Sequence, residues 1–405
     1  MEGQVEKRKS GRILVAINFM ILMAALGASD SLRGIFAPAF QEHFSLSAME
    51  LSVIIMVSYV GNLVFLCLGG KVLDKYNRKL AAMGVTVIWM AALLLYVFTD
   101  NYYCLLVGMF FAMGTSTLLN TAINILTPAI FMTAPGMMVN IFFFVQGIGT
   151  SGSQKLAGSV AGNYGAFKAV NLLLAAMGLI SLILLWRADI PDVRAWDSGE
   201  TVEDSENGGK TAFLDAVKRK GFWLLVLIFG LYFIGEHGIM NWLVSYGTGA
   251  LGMETSRAAA YLSGFYGGMT VGRLLFAPVV TKAGAFRSIR WFGGVGTALF
   301  VLGLVPGGPG LWLLSLSGLA VSIIYPTLVY LVRYIYPVHM LGAGLGAVIS
   351  TATLFDIGFN VLFGRMIDVV GYGTSFLVIP LCMAGFYICY LFFAGKYGRR
   401  EENIK

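Results

Sequence analysis

The run FWLLVLIFGLYFIGEHGIMNWLVSYGTGAL, from Phe222 to Leu251, holds thirty residues and a single charged side chain, Glu236. A helix needs about 20 consecutive apolar residues to cross ~30 Å of hydrocarbon, so this run reads as a membrane span. Its centre is Gly235-Glu236-His237-Gly238. An ionised side chain at a helix centre costs about 2.5–3.5 kcal/mol in lipid, so Glu236 must face water or a partner.

The same apolar texture continues in both directions. The 405-residue chain is 58% hydrophobic and 12% charged, with a mean hydropathy of +0.78. Soluble domains carry roughly 25% charged residues, and a soluble core could not absorb the difference. The expected fold is an all-α membrane protein with twelve transmembrane helices in two pseudo-symmetric six-helix bundles. The first six spans lie near 12–38, 48–70, 79–98, 103–127, 137–162 and 168–187; the second six lie near 221–247, 257–281, 288–306, 310–333, 339–366 and 373–394. The organisation is therefore 1–187 and 221–405 as bundles, joined by a linker at 188–220 whose stretch SGETVEDSENGGK has the composition of a solvated tether.

Lys and Arg placement orients the chain. With both termini cytoplasmic, 22 of the 28 basic residues fall in cytoplasmic segments, leaving Arg33, Lys155, Lys168, Arg257, Arg273 and Arg365 elsewhere. The net charge of +7 is accounted for by this asymmetry, facing anionic lipid, so no nucleic-acid partner is expected. The four cysteines all fall inside expected spans without CxxC spacing, and neither a disulfide frame nor a metal site is implied. The first apolar run is too long for a cleavable signal peptide. No GxxxxGK[ST] run and no HExxH motif is present, so neither an ATPase nor a metalloprotease is expected, and no cofactor either.

The two halves repeat in spacing. A shift of 207 residues brings Tyr59 and Gly61 onto Tyr266 and Gly268, and Ser29-Asp30 onto Glu236-His237. Glycine-flanked polar breaks at matching places in two halves point to a transporter binding site near the midplane. Deep ionisable residues are Asp30, Lys155, Glu236, Arg273 and Asp356; for Lys155 and Arg273 an interhelical ion pair is an equal reading. Helical spacing sets Thr117, Asn120 and Asn124 on one face, Asp356 beside Asn360, and His237 beside Asn241, with Gln146 a further amide. Amides that both donate and accept suit a neutral, hydroxyl-rich solute.

GKVLDKYNRK (Gly70 to Lys79), with this topology, resembles the signature G-x-x-x-D-[RK]-x-G-[RK]-[RK] of the major facilitator superfamily. Gly70, Asp74, Lys75, Arg78 and Lys79 match, and Asn77 stands where the pattern has glycine, a residue that tolerates φ > 0. The resemblance implies that fold and a cytoplasmic gate formed by these five residues. YFIGEHGIMNWLVSY with AAAYLSGFYGGMTVGR (258–273) is similar to the fucose permease-like branch, as is NTAIN (120–124), where Asn120 replaces that branch's acid. This narrower resemblance implies sugar uptake coupled to protons.

The expectation is a secondary active transporter, not an enzyme, moving a sugar or sugar-like solute by proton symport and alternating access. Asn120, Asn124, Gln146, His237, Asn241, Asp356 and Asn360 would contact the solute where the halves meet, and Glu236 and Asp30 would carry the coupling proton. Arg33, three residues after Asp30, would keep Asp30 charged if paired with it, which favours Glu236. The partners would be the solute, protons and the bilayer, and the chain would act as a monomer in the cell membrane. A proton-driven exporter of amphipathic compounds and a non-transporting receptor or scaffold are the competing classes.

Overall fold

The computed structural model describes residues 2–75, 77–132, 135–188, 213–337 and 340–398, with side chains at 2–10, 68–75, 129 and 135 outside that description. Most of the expected linker therefore lies outside the described residues. The rest is helical, and no strand occurs among the described residues. The helices are α1 (Glu2–Ile35), α2 (Ala37–Phe44), α3 (Ala48–Lys75), α4 (Arg78–Phe98), α5 (Tyr102–Ile130), α6 (Pro135–Gly158) and α7 (Tyr164–Arg187), then α8 (Phe222–Gly249), α9 (Thr255–Ala283), α10 (Ala285–Leu304), α11 (Leu311–Val321), α12 (Ile324–Leu331), α13 (Leu341–Ser375) and α14 (Val378–Tyr397).

Nine stretches among the described residues are long and apolar enough to cross a membrane, α8 among them. The expected spans at 137–162, 257–281 and 288–306 form helices α6, α9 and α10 that are not among the nine. Each dilutes its apolar face: α6 with Gln146, Gln154 and Lys155, α9 with Arg257, Arg273 and Lys282, α10 with Arg287 and Arg290. The expected span at 310–333 is one path in two pieces, α11 and α12. Pro326 explains the break, because its ring clashes with the carbonyl four residues back, at Ser322, where the helix stops.

Local chemistry sets several helix starts. Asn77, Asn101 and Asn163 are the N-caps of α4, α5 and α7, their side-chain oxygens accepting from amides of the first turn. Asn77 sits at φ −54° and ψ 120°, so the turn that glycine serves in the signature is made here by a cap and not by a left-handed residue. Ser47 and Glu50 form a reciprocal capping box at the start of α3, with Glu50 N donating to Ser47 Oγ at 3.1 Å and Ser47 N donating to Glu50 Oε2 at 2.9 Å. In the α4–α5 connection Lys168 Nζ reaches Asp100 at 2.7 Å, and that bond holds the exposed Asp100 carboxyl below the usual carboxylate range.

The chain divides into two compact units, Met1–Leu46 with Val53–Glu200, and Ser47–Ser52 with Thr201–Lys405. Within the first, α1 packs most extensively on α6, and α4 on α5 and α7. Within the second, α8 packs on α13 and α14, and α10 on α11. The same relative partners recur, so the repeat in spacing is a repeat of internal packing. Close approach is made by glycine in each: a Cβ on Gly149 would strike Ala24 O, and one on Gly318 would strike Phe265 O. Gly318→Ala is expected to cost about 1–3 kcal/mol, the range for forced overpacking, read as a lowered thermal midpoint in nanodiscs.

Aromatic rings fill what remains. Phe19 meets Phe142 edge to face at 5.6 Å in the first unit, and Trp242 meets Phe363 at 5.5 Å in the second. Large apolar side chains such as Phe98, Leu156, Trp291 and Leu362 are more than 70% exposed. In water such a surface would associate, whereas for a bundle in hydrocarbon it is the solvated face.

Candidate functional site

In the first unit the polar residues of α1 meet α3, α5 and α6. Asp30 is half-buried, and its Oδ2 accepts from Ser116 Oγ on α5 at 3.1 Å. One turn on, Asn120 Nδ2 donates to the Ser116 carbonyl at 3.0 Å. Oδ1 of Asp30 and Oδ1 of Asn120 are both buried with no hydrogen-bond partner among the described residues. So Asp30 and Asn120, 90 positions apart, converge on one serine. Next to them Ser31 and Ser153 share a 2.8 Å hydrogen bond between α1 and α6.

Arg33 is 4% exposed. Its guanidinium lies 4.6 Å from the centre of the Tyr59 ring and donates to Tyr59 Oη at 3.2 Å and to Met113 Sδ at 3.4 Å. It remains within electrostatic reach of Asp30. Asn124 and Gln146 are half-buried on α5 and α6. Thr117, from the same stripe as Asn120, donates to Asn62 Oδ1 on α3 at 2.9 Å.

In the second unit the polar centre of α8 meets α13. His237 Nδ1 and Asp356 Oδ2 are 2.6 Å apart, with the His side chain 26% exposed and the Asp side chain at 0%. Asn360 Nδ2 donates to Asp356 Oδ1 at 3.1 Å, and Asn360 Oδ1 accepts from Trp242 Nε1 at 2.9 Å and from Asn241 Nδ2 at 3.4 Å. Asn241, Asp356 and Asn360 are thus fully buried against one another, and His237 is the accessible member of the network.

Glu236 points elsewhere, since successive helix residues are turned by about 100°. It and Arg273 of α9 both act electrostatically on the hydroxyls of Tyr232 and Tyr325. The Tyr266 hydroxyl approaches the Glu236 carbonyl at 3.5 Å. Arg273 and Lys155 are exposed.

Of the expected gate residues, Gly70, Asp74 and Lys75 close α3, and their side chains lie outside the described residues. Arg78 opens α4, and Lys79 Nζ donates to the carbonyls of Trp186 and Ala188 at 3.1 and 2.6 Å, closing the end of α7. One neighbour of the candidate residues escapes a sequence reading, and another, Trp242, is visible there only as part of the resemblance. Ser116 stands four residues before Asn120, so extending that stripe by one turn would find it. Trp242 becomes relevant only once α13 is placed beside α8.

The Major Facilitator Superfamily model matches residues 16–354. The cis,cis-muconate transport protein of Acinetobacter baylyi is 27% identical over 221 residues, 52% of each chain. A putative glucose/galactose transporter of Helicobacter pylori is 28% identical over 235 residues, 57% of this chain and 54% of that one. The chain thus matches about half the length of these curated relatives. In fold it is similar to the nucleoside transporter NupG (TM-score 0.74, 12% identity, 94% of this chain and 98% of that one) and to a variant of the E. coli fucose:proton symporter FucP (TM-score 0.63, 17% identity, 94% and 99%). With a family match across most of its length and the helical architecture to accompany it, the chain belongs to the major facilitator superfamily.

Proposed function

We propose that the protein is a membrane transporter, not an enzyme, and moves a small polar solute, a sugar or sugar-like compound, by proton symport with alternating access. The observation that carries the reading is the pair of buried acceptors at Asp30 and Asn120, each with an oxygen that no described protein donor satisfies. An unmet buried acceptor costs about 1–3 kcal/mol, and a hydroxyl-rich solute admitted when the site opens would supply the missing donors. Within the first unit the amides Asn124 and Gln146 extend the same chemistry; within the second, the accessible imidazole of His237 is the proposed solute contact, with Asn241, Asp356 and Asn360 acting through it. Relatives named for glucose/galactose and fucose transport support the class.

Glu236 is the proposed coupling carboxylate, with Asp30 as its counterpart on α1. The gate residues Gly70, Asp74, Lys75, Arg78 and Lys79 are proposed to face the cytoplasm with both termini, in the cell membrane, as the Lys/Arg bias supports. One observation favours a second reading, a small carboxylate as solute: the muconate transport protein is among the relatives, and Arg33 lies beside Asp30.

Uptake into proteoliposomes tests both. Labelled D-glucose, D-galactose, L-fucose, D-xylose and cis,cis-muconate are supplied with and without an inward proton gradient. Accumulation of a sugar only with the gradient is the expected result. Accumulation of muconate alone supports the second reading, and gradient-independent equilibration removes the symport.

A further inference from the structure

The sequence offers Glu236 and His237 as neighbours, but the structure gives them different company. Trp242 Nε1 can only donate, so Asn360 must turn its oxygen to the indole and its NH2 to Asp356. Asp356 Oδ1 is thereby fixed as an acceptor. Its other oxygen lies 2.6 Å from His237 Nδ1, and of the two groups imidazole is ordinarily the more basic. The shared hydrogen therefore sits on Nδ1, and the lone pair of the ring is on Nε2. This is an imidazole whose tautomer is set by a buried carboxylate, itself set by an amide and an indole.

We propose that the His237–Asp356 pair is a proton-holding station, with Nε2 of His237 as the atom that takes and gives the proton. The proposal rests on the transport reading above and adds to it a second proton site, one residue along α8 from Glu236. The step balances with a proton from the aqueous phase: a hydronium ion gives its proton to Nε2 and leaves as water, the pair passes from net −1 to net 0, and release to water reverses it.

The charged and titratable groups around the Glu236–His237 turn come from each neighbouring helix. Besides Glu236, α8 contributes Tyr232, with Phe233 stacked on the imidazole at 5.3 Å. From α9 come Tyr266 and Arg273, from α12 Tyr325, and from α13 Asp356 itself. From α14, Met383 and Ile379 lie against Gly235 and Gly238, apolar contacts only. Glu236 shares Tyr232, Tyr325 and Arg273, whereas the imidazole is bonded to Asp356. Two adjacent residues thus offer proton sites in separate surroundings, the imidazole against Asp356 and the Glu236 carboxylate among the tyrosines.

Nitrogen NMR of the full chain in nanodiscs, labelled with 15N-histidine, tests this without any solute. The sequence has three histidines, His43, His237 and His339, and H237Q assigns the signal. In the wild type, Nδ1 is expected to stay protonated at every pH, with the whole titration shift appearing at Nε2. D356N, whose amide can present either its oxygen or its NH2 to the ring, should give a mixture of the two neutral tautomers. In proteoliposomes, H237Q should slow gradient-driven sugar uptake at least several-fold and leave the final accumulation ratio unchanged. A ring that does not titrate while the protein stays folded, or an Nε2–H tautomer in the wild type, overturns the station. So does H237Q uptake at the wild-type rate. If no member of the panel accumulates, the symport reading fails instead, and the NMR result still decides the pair.

Discussion

Replacing Asp356 by alanine is expected to cost the second helical unit about 3–5 kcal/mol, the range for breaking a buried ion pair by removing one partner. The side chain is fully buried, and it receives both His237 Nδ1 and Asn360 Nδ2. Alanine removes the acceptor of His237 Nδ1 and one of the two acceptors of Asn360 Nδ2, which keeps only the residue-356 carbonyl, and it leaves a cavity where the carboxylate stood. For a unit of roughly 200 residues this corresponds to a fall of about 10 °C in the thermal midpoint. The double variant H237A/D356A should recover part of the loss, and the double-mutant cycle should return a coupling of about 0.5–3 kcal/mol. Thermal unfolding in nanodiscs measures all four proteins. A D356A midpoint equal to the wild type would show that the network does not hold α8 to α13.

Glu236→Gln is expected to abolish accumulation while sparing exchange. The amide keeps the shape and most hydrogen bonds of the carboxyl but cannot exchange a proton. Under a gradient of one pH unit, each coupled proton can support about a tenfold accumulation, since 1.4 kcal/mol is a factor of ten. The wild type should approach that ratio and E236Q should fall to about 1. Counterflow of solute already inside should continue in E236Q, because it needs only binding and reorientation. Accumulation by E236Q at the wild-type ratio would transfer the coupling role to Asp30, the residue that the repeat places one position away from it.

How far the sequence reached depends on the range of each interaction. Membrane spans are legible because lipid imposes a length and an apolar composition on each segment separately, and α8 illustrates this without help from any neighbour. The break at Ser322 was also readable in principle, since Pro326 acts on its own helix. The Asn77 cap was half-legible: the residue was singled out, but its left-handed role was the wrong conformation, because a side chain that caps can replace a glycine that bends. The site was harder. His237 and Asp356 were each visible as polar residues in apolar runs, yet their bond spans 119 positions and depends on α8 lying against α13. Burial was less legible still. The same polarity that suggested cavity-facing amides at Asn241 and Asn360 is spent on holding Asp356, with 0% of either residue exposed.

The central claim is that solute and proton cross together, and the most direct test records the proton itself. Proteoliposomes are prepared with no pH gradient in a weakly buffered medium, and D-galactose is added outside while external pH and labelled sugar are followed at once. The account predicts that the medium turns alkaline as the sugar enters, and that E236Q shows neither net proton movement nor uptake above equilibrium. Entry of labelled sugar through the wild type with no change in external pH would contradict it.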